Sequence, residues 1–218
     1  MKFCQRGKSG TIVAMRYKRA VEKLRILADA CQSVRDWPPQ DDPFLVAAYV
    51  FGEVLRGPDE LDSVEVAMVL NLPARQVTWG STPRGTLWLA DALRLSKGGY
   101  RYWWRSHEDP VWNHHIQGPV RFWSADGPDE AVLRALAQRR FADLPRQMPP
   151  GDARRERIAA ELDAAFRHLR EVHGSYWDRD WRREHRGYER YPENELWDAV
   201  DSYLELRDAA GSRADSEG

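Results

Sequence analysis

The chain has 218 residues, which is enough for one large domain or two small ones with a sizeable hydrophobic core. Its 33 Lys and Arg residues balance 34 Asp and Glu residues, and the net charge of −1 excludes a globally basic nucleic-acid-binding protein. The two cysteines exclude a zinc-finger site, and no apolar run reaches the roughly 18 to 20 residues of a membrane span. With no secretory signal, we predict a cytoplasmic protein with reduced thiols.

The N-terminal part combines a basic segment with an amphipathic pattern. Residues 1–14 have no hydrophobic periodicity and are predicted to be a flexible extension. From residue 15 to about residue 33, apolar residues recur every three or four positions, which predicts a helix. Three prolines within residues 36–43 end this helix and lead into an extended segment.

Two hydrophobic runs follow, and they predict a hairpin in the core of a sheet. Residues 44–51 are uncharged and rich in β-branched and aromatic side chains, and residues 63–70 form a second such run. Gly57 and Pro58 lie between the runs and are typical of a tight turn or short loop.

The glycines and the start of the second strand resemble the nucleotidyltransferase fold of polymerase-beta-like enzymes. In that family a Gly-Ser pair ends the first strand and contacts nucleotide phosphates, and a Ser-Asp-x-Asp segment opens the second strand and holds divalent metal. Gly52, Gly57 and Ser63 match the family's spacing. The resemblance therefore implies a ligand-binding set made of Gly52, Glu53, Gly57, Asp62 and Ser63.

The metal-binding positions of this family are not retained. Glu53 stands where the family has Ser, and Val64 and Val66 stand where it has the two aspartates. Two aspartates at i and i+2 share a strand face and can hold Mg²⁺, whereas valine has no lone pair. Glu65 lies on the opposite face of the strand by alternation. The resemblance thus implies a degenerate active site without metal or cofactor, and favours a non-catalytic binding or regulatory protein.

The middle of the chain is its most aromatic part. Residues 82–95 are predicted to be helical, and residues 100–107 and 120–123 alternate aromatic side chains with arginine. Such a pattern either stacks the bases of a single-stranded nucleic acid or forms the wall of a sheet. The adjacent His114 and His115 are chemically suited to zinc or iron, but in an extended segment they would point to opposite faces.

The C-terminal third is predicted to be helical over residues 129–141, 152–172 and 193–209, with Pro192 in a first helical turn. Between the last two helices, Arg179-Asp180 and the later His185 are similar to the Arg-polar-x-His spacing of HEPN ribonucleases. Those enzymes are dimeric helical bundles that use Arg and His on RNA. An RNA-cleaving enzyme using Arg179 and His185 is therefore one alternative function, and a plain protein-interaction module is another.

The predicted architecture is α+β, with a small mixed sheet flanked by helices and a C-terminal helical region. The nucleotidyltransferase-like domain covers residues 15–125, the helical region covers 127–210, and residues 211–218 form a disordered tail. Candidate partners are a nucleotide, RNA or a second copy of the chain. Residues 15–209 also resemble an uncharacterised actinobacterial family, a domain of unknown function, through segments 48–53, 111–114, 120–123 and 181–187. That resemblance implies no activity.

Overall fold

The structure is a computed structural model that describes residues 14–36, 43–97, 99–187 and 191–214. Most of the predicted N-terminal extension and the end of the predicted tail lie outside the described residues. The described chain divides into two compact units. One unit runs to Ala74 and also includes Thr82–Met148, and the other combines Arg75–Ser81 with the chain from Pro149 onwards.

The first unit is built around a five-stranded mixed sheet, as the α+β prediction requires. The strands of this unit are β1 (Met15–Arg16), β2 (Leu45–Phe51), β3 (Glu60–Leu61), β4 (Val64–Leu70), β5 (Tyr100–Ser106), β6 (Val120–Ser124) and β7 (Gly127–Pro128). In the mixed sheet they lie in the order β5-β4-β2-β6-β7, with β4 and β5 parallel and the other pairs antiparallel. A separate two-stranded antiparallel sheet joins β1 to β3. The helices are α1 (Tyr17–Arg35), α2 (Thr86–Ala92) and α3 (Glu130–Ala137).

Helix α1 covers one face of the sheet, as its apolar periodicity predicts. The hydroxyl of Tyr100 on β5 donates to the carbonyl of Lys23 at 2.8 Å, and the indole of Trp123 on β6 donates to Gln32 at 3.4 Å. The helix therefore reaches from one side of the sheet to the other. The side chains that α1 buries are Tyr17, Ala20, Leu24, Leu27, Ala28 and Cys31.

The aromatic segment forms core rather than an open stacking surface. Trp103 and Trp104 of β5 and Trp123 of β6 are all buried. A register shift between β2 and β6 lets the successive residues Phe122 and Trp123 both be fully buried. Of the two alternatives that the sequence leaves open for this segment, the wall of a sheet is the one that most of its rings form, because they are used in packing.

Helix α2 is shorter than the predicted 82–95 for a local reason. Gly85 precedes the helix with a φ of +83°, so the helical conformation cannot extend back through it. The hydroxyl of Thr86 bonds to the carbonyl of Pro83 at 2.7 Å and closes this turn. At the other end, Arg94 has a φ of +53°, which ends the helical conformation before residue 95.

The second unit contains α4 (Ala153–Ser175), α5 (Arg179–Glu184) and α6 (Pro192–Ala214). Helices α4 and α6 pack against each other, and the ring of Phe166 contacts that of Tyr203 at 5.7 Å. Helix α6 continues past Gly211 into the predicted tail. No helix in the described part of the chain is long and apolar enough to cross a membrane.

Candidate functional site

The candidate site lies at the end of β2, where the resemblance places a phosphate-binding turn. Strand β2 ends at Phe51, and the chain continues into one turn of 3₁₀ helix at Gly52–Leu55. Gly52 has a φ of +73°, a left-handed conformation that glycine adopts without steric cost. The backbone N–H groups of Arg56 and Gly57 both donate to the carbonyl of Glu53 and close the turn.

The carboxylate of Glu65 fills this turn. Phe51 is the antiparallel partner of Glu65, and Arg101 is its parallel partner, so these side chains share one face of the sheet. The Glu65 carboxylate lies so close to Gly52 that a Cβ at position 52 would collide with it. The backbone N–H of Glu53 is near enough to this carboxylate to lower its pKa.

The charges around Glu65 act in opposite directions. Burial raises the pKa of the Glu65 carboxyl above its usual range. The guanidinium of Arg101, whose Nη1 is 3.6 Å from Oε1 of Glu65, lowers that pKa, and so does the N–H of Glu53. Glu65 is therefore a partly desolvated carboxyl group whose pKa is lowered mainly by Arg101 and the Glu53 backbone, with a smaller lowering by Arg56 that the Glu53 carboxylate opposes.

The five residues implied by the resemblance have different environments. Gly52 and Glu53 surround the Glu65 carboxylate, as described above. Gly57 packs against the ring of Phe141, and its carbonyl accepts a hydrogen bond from Arg139 at 3.2 Å. Asp62 is exposed and Ser63 is half-buried, and neither side chain makes a hydrogen bond or ion pair within the described residues.

Sequence reasoning missed Glu65 and Arg101 as members of this site. Strand alternation assigned Glu65 correctly to the face opposite Val64 and Val66, but that face was not connected to the glycine turn. The missing information was the pairing of Phe51 with Glu65 across the hairpin. Arg101 needed a longer-range pairing, between β4 and β5, that no local pattern predicts.

Val64 and Val66 are fully buried on the other face of the sheet. Their side chains therefore contribute to the hydrophobic core where the resembling enzymes hold metal. Within the part of the chain that the structure describes, no group of three or more His, Cys, Asp and Glu side chains could hold a metal ion.

The two adjacent histidines belong to a loop that packs over the Glu65 face of the sheet. The ring of His115 lies 4.7 Å from that of Trp103 and 5.8 Å from that of Phe51. The loop is held by Asn113, whose side-chain oxygen accepts from the backbone N–H groups of His115 and Ile116 at 2.9 and 2.8 Å. These contacts give His115 a structural role in covering the sheet.

Arg179 and His185 lie at the two ends of α5. The ring of His185 stacks on Trp181 at 4.0 Å, and its Nδ1 is 2.8 Å from the Trp181 carbonyl. Arg179 and His185 are six positions apart, which on a helix places their side chains about 120° apart around the axis. Between them, Arg182 donates a hydrogen bond to Glu193 at 2.7 Å, and its guanidinium covers the ring of Tyr176. HEPN-like cleavage by Arg179 and His185 stays a prediction.

A family described as Domain of unknown function (DUF7711) matches residues 15–212. No curated protein and no solved structure matches the chain.

Proposed function

The chain belongs to the DUF7711 family, a domain of unknown function, and we propose that it is a non-catalytic, nucleotidyltransferase-like binding or regulatory protein. The order of elements supports this proposal. Strand β2 ends directly before Gly52 and β4 begins directly after Ser63, which is where the resembling family has its Gly-Ser pair and its metal-binding segment.

The observation that carries the proposal is the position of the Glu65 carboxylate. It lies against Gly52, and the backbone of Glu53 is near enough to lower its pKa, so it occupies the turn that would receive a phosphate in the resembling enzymes. Backbone N–H groups in such turns favour anions. The chain therefore supplies its own anion to this turn, and a nucleotide phosphate would have to displace it.

The buried valines support the non-catalytic part of the proposal. In-line nucleotidyl transfer relies on a divalent ion that neutralises the phosphates, and this ion needs oxygen ligands. Val64 and Val66 offer no oxygen ligand, and neither does Ala67, which lies beside Glu65 on the opposite face of β4. The carboxylate of Glu65 itself is paired with Arg101.

Thermal unfolding with each nucleoside triphosphate, with and without Mg²⁺ or Mn²⁺, tests the proposal. We expect the parent protein to show at most a small, metal-independent rise in Tm, because Glu65 competes with the phosphates. Glu65→Ala should bind nucleotide more tightly than the parent does. The substitution empties the turn and removes the carboxylate that pairs with Arg101, so this guanidinium can interact with the phosphates. Ligand at 100 times its Kd adds about 2.7 kcal/mol, which corresponds to a rise of roughly 5 to 10 °C for a chain of this size.

The matched control is Glu65→Gln, which removes the charge but keeps the turn filled. It should respond to nucleotide less than Glu65→Ala does. A metal-dependent nucleotidyl transfer by the parent protein that is lost in Asp62→Asn would refute the proposal. Equal responses of the parent and Glu65→Ala to every nucleotide would also refute the proposed role of the turn.

A further inference from the structure

The α4–α6 hairpin of the second unit leaves an apolar surface exposed. Its inner seam is formed by the buried residues Ile158, Ala165 and Val172 of α4 and Ala199 and Leu206 of α6. Beside this seam, further apolar residues at helical spacing are only half-buried or exposed. This second set, the outer face, consists of Leu162, Phe166, Trp197, Val200, Tyr203 and Leu204.

Aromatic side chains give the outer face its prominence. Trp197 is 63% exposed and Phe166 is 44% exposed, and Phe166 is in ring contact with Tyr203 across the two helices. Burying a large aromatic side chain stabilises a protein by about 1.5 to 3 kcal/mol, so leaving these side chains in water forgoes a large contribution. Exposed apolar surface of this kind marks interaction sites.

We propose that the outer face is the interface of a homodimer, in which two α4–α6 hairpins pack as a four-helix bundle. Within this unit, the Arg75–Ser81 segment covers α6 on the side of Ser202 and Glu205 and leaves the outer face uncovered. Facing two identical hairpins across a twofold axis would enclose the outer face in a core. Each helix has 23 residues and is about 34 Å long, which suits side-by-side packing along its length.

The charges beside the outer face favour a second copy over a partner of opposite charge. Exposed Asp163, Arg167 and Arg170 flank it on α4, and exposed Asp201, Arg207 and Asp208 flank it on α6. Asp163 is paired with Arg167 and Arg207 with Asp208 within their own helices, so these charges are balanced inside each chain. Two copies can therefore approach without like-charge repulsion.

Sedimentation velocity of the full chain without nucleotide tests this inference separately from the proposed function. We expect a mass twice the 25.3 kDa of one chain at protein concentrations of about 1 to 100 μM, the range in which a moderately stable complex forms. Trp197→Glu should weaken the dimer by about 30-fold or more, as expected of a large aromatic anchor that becomes buried in an interface. Trp197→Phe should keep the dimer, because it retains an apolar ring.

Trp177→Glu is the matched control. Trp177 is 83% exposed, lies outside the outer face and belongs to the same unit, so its replacement should leave the dimer intact. Phe166→Gln provides a second disrupting variant on the other helix if Trp197→Glu does not fold. A single-chain mass of the parent at the highest concentration would overturn the proposal. A dimer that survives in folded Trp197→Glu or Phe166→Gln would overturn it as well.

Discussion

The carboxylate of Glu65 occupies the space beside the Cα of Gly52 that any side chain at position 52 would need. Two independent features produce this relationship. Antiparallel pairing places Glu65 opposite Phe51, the last residue of β2, and the positive φ of Gly52 turns the chain towards that carboxylate. Residues 52 and 65 are therefore sterically coupled, and their substitutions should not be additive.

Gly52→Ala should lower the free energy of unfolding by about 1 to 3 kcal/mol. A left-handed backbone costs a non-glycine residue about 1 to 2 kcal/mol. The new Cβ also turns the Glu65 carboxylate away from Arg101, which costs up to about 1 kcal/mol. In a Glu65→Ala background, only the backbone cost should remain. Urea unfolding of the two single variants and the double variant measures the difference.

Gly174→Ala is the control for this cycle, because Gly174 lies in α4 and a Cβ there meets no atom within 4 Å. It should be neutral or stabilising by up to about 1 kcal/mol, since alanine is the better helix former. An equal cost of Gly52→Ala with and without the Glu65 carboxylate would show that the collision has no energetic weight.

The pH dependence of stability should report the burial of Glu65. Because its pKa is raised in the folded state, the protonated form is favoured by folding, and this contribution is lost as pH rises through the raised pKa. The parent should therefore lose stability relative to Glu65→Gln as the pH rises from about 4 to about 7, because only the parent has the titrating carboxyl group. Thermal unfolding at a series of pH values measures this trend.

Arg101→Gln should make the same trend steeper, since it removes the guanidinium that stabilises the ionised carboxylate. A parent protein and a Glu65→Gln variant with parallel pH profiles would contradict a perturbed Glu65. The two variants together separate the effect of burial from that of the ion pair.

Elements with strong local patterns were predictable from the sequence. The periodicity of α1 and the two runs that became β2 and β4 are local signals, and each of these elements forms within about two residues of its predicted bounds. Helix α6 begins at Pro192, as this first-turn proline predicts, but it ends at Ala214, beyond the predicted end at residue 209. The two-residue strands β1 and β3 were missed, because such short pairings have no periodicity of their own.

The candidate site was only partly predictable for a related reason. Gly52 and Glu53 follow from a spacing within a few residues, but Glu65 becomes part of the site through strand pairing, and Arg101 through the parallel pairing of β4 with β5. That Val64 and Val66 lack a lone pair for metal follows from their chemistry alone. Their complete burial depends on α1, which is distant in the chain.

Substitution of His185 should leave the behaviour of the protein towards RNA unchanged. His185 is engaged with Trp181 through ring stacking and its Nδ1, so its removal should mainly weaken the end of α5. Incubation of the parent, Arg179→Ala and His185→Ala with a labelled single-stranded RNA measures this. RNA cleavage by the parent that is lost in both variants would instead establish the HEPN-like alternative.

His168 should make the second unit less stable in acid. Burial lowers the pKa of this imidazole, and the nearby carboxylates of Glu195 on α6 and Glu171 offset the effect only in part. A lowered pKa means that folding favours the neutral ring. The stability is therefore complete above the usual histidine range, near pH 6.5, and is lost as pH falls through the lowered pKa.

His168→Gln should accordingly lose less stability than the parent between about pH 7.5 and pH 5, as measured by thermal unfolding. His173→Gln, which removes an exposed histidine from the same helix, is the matched control and should follow the parent. Identical acid sensitivity of His168→Gln and the parent would show that protonation of His168 is not coupled to folding.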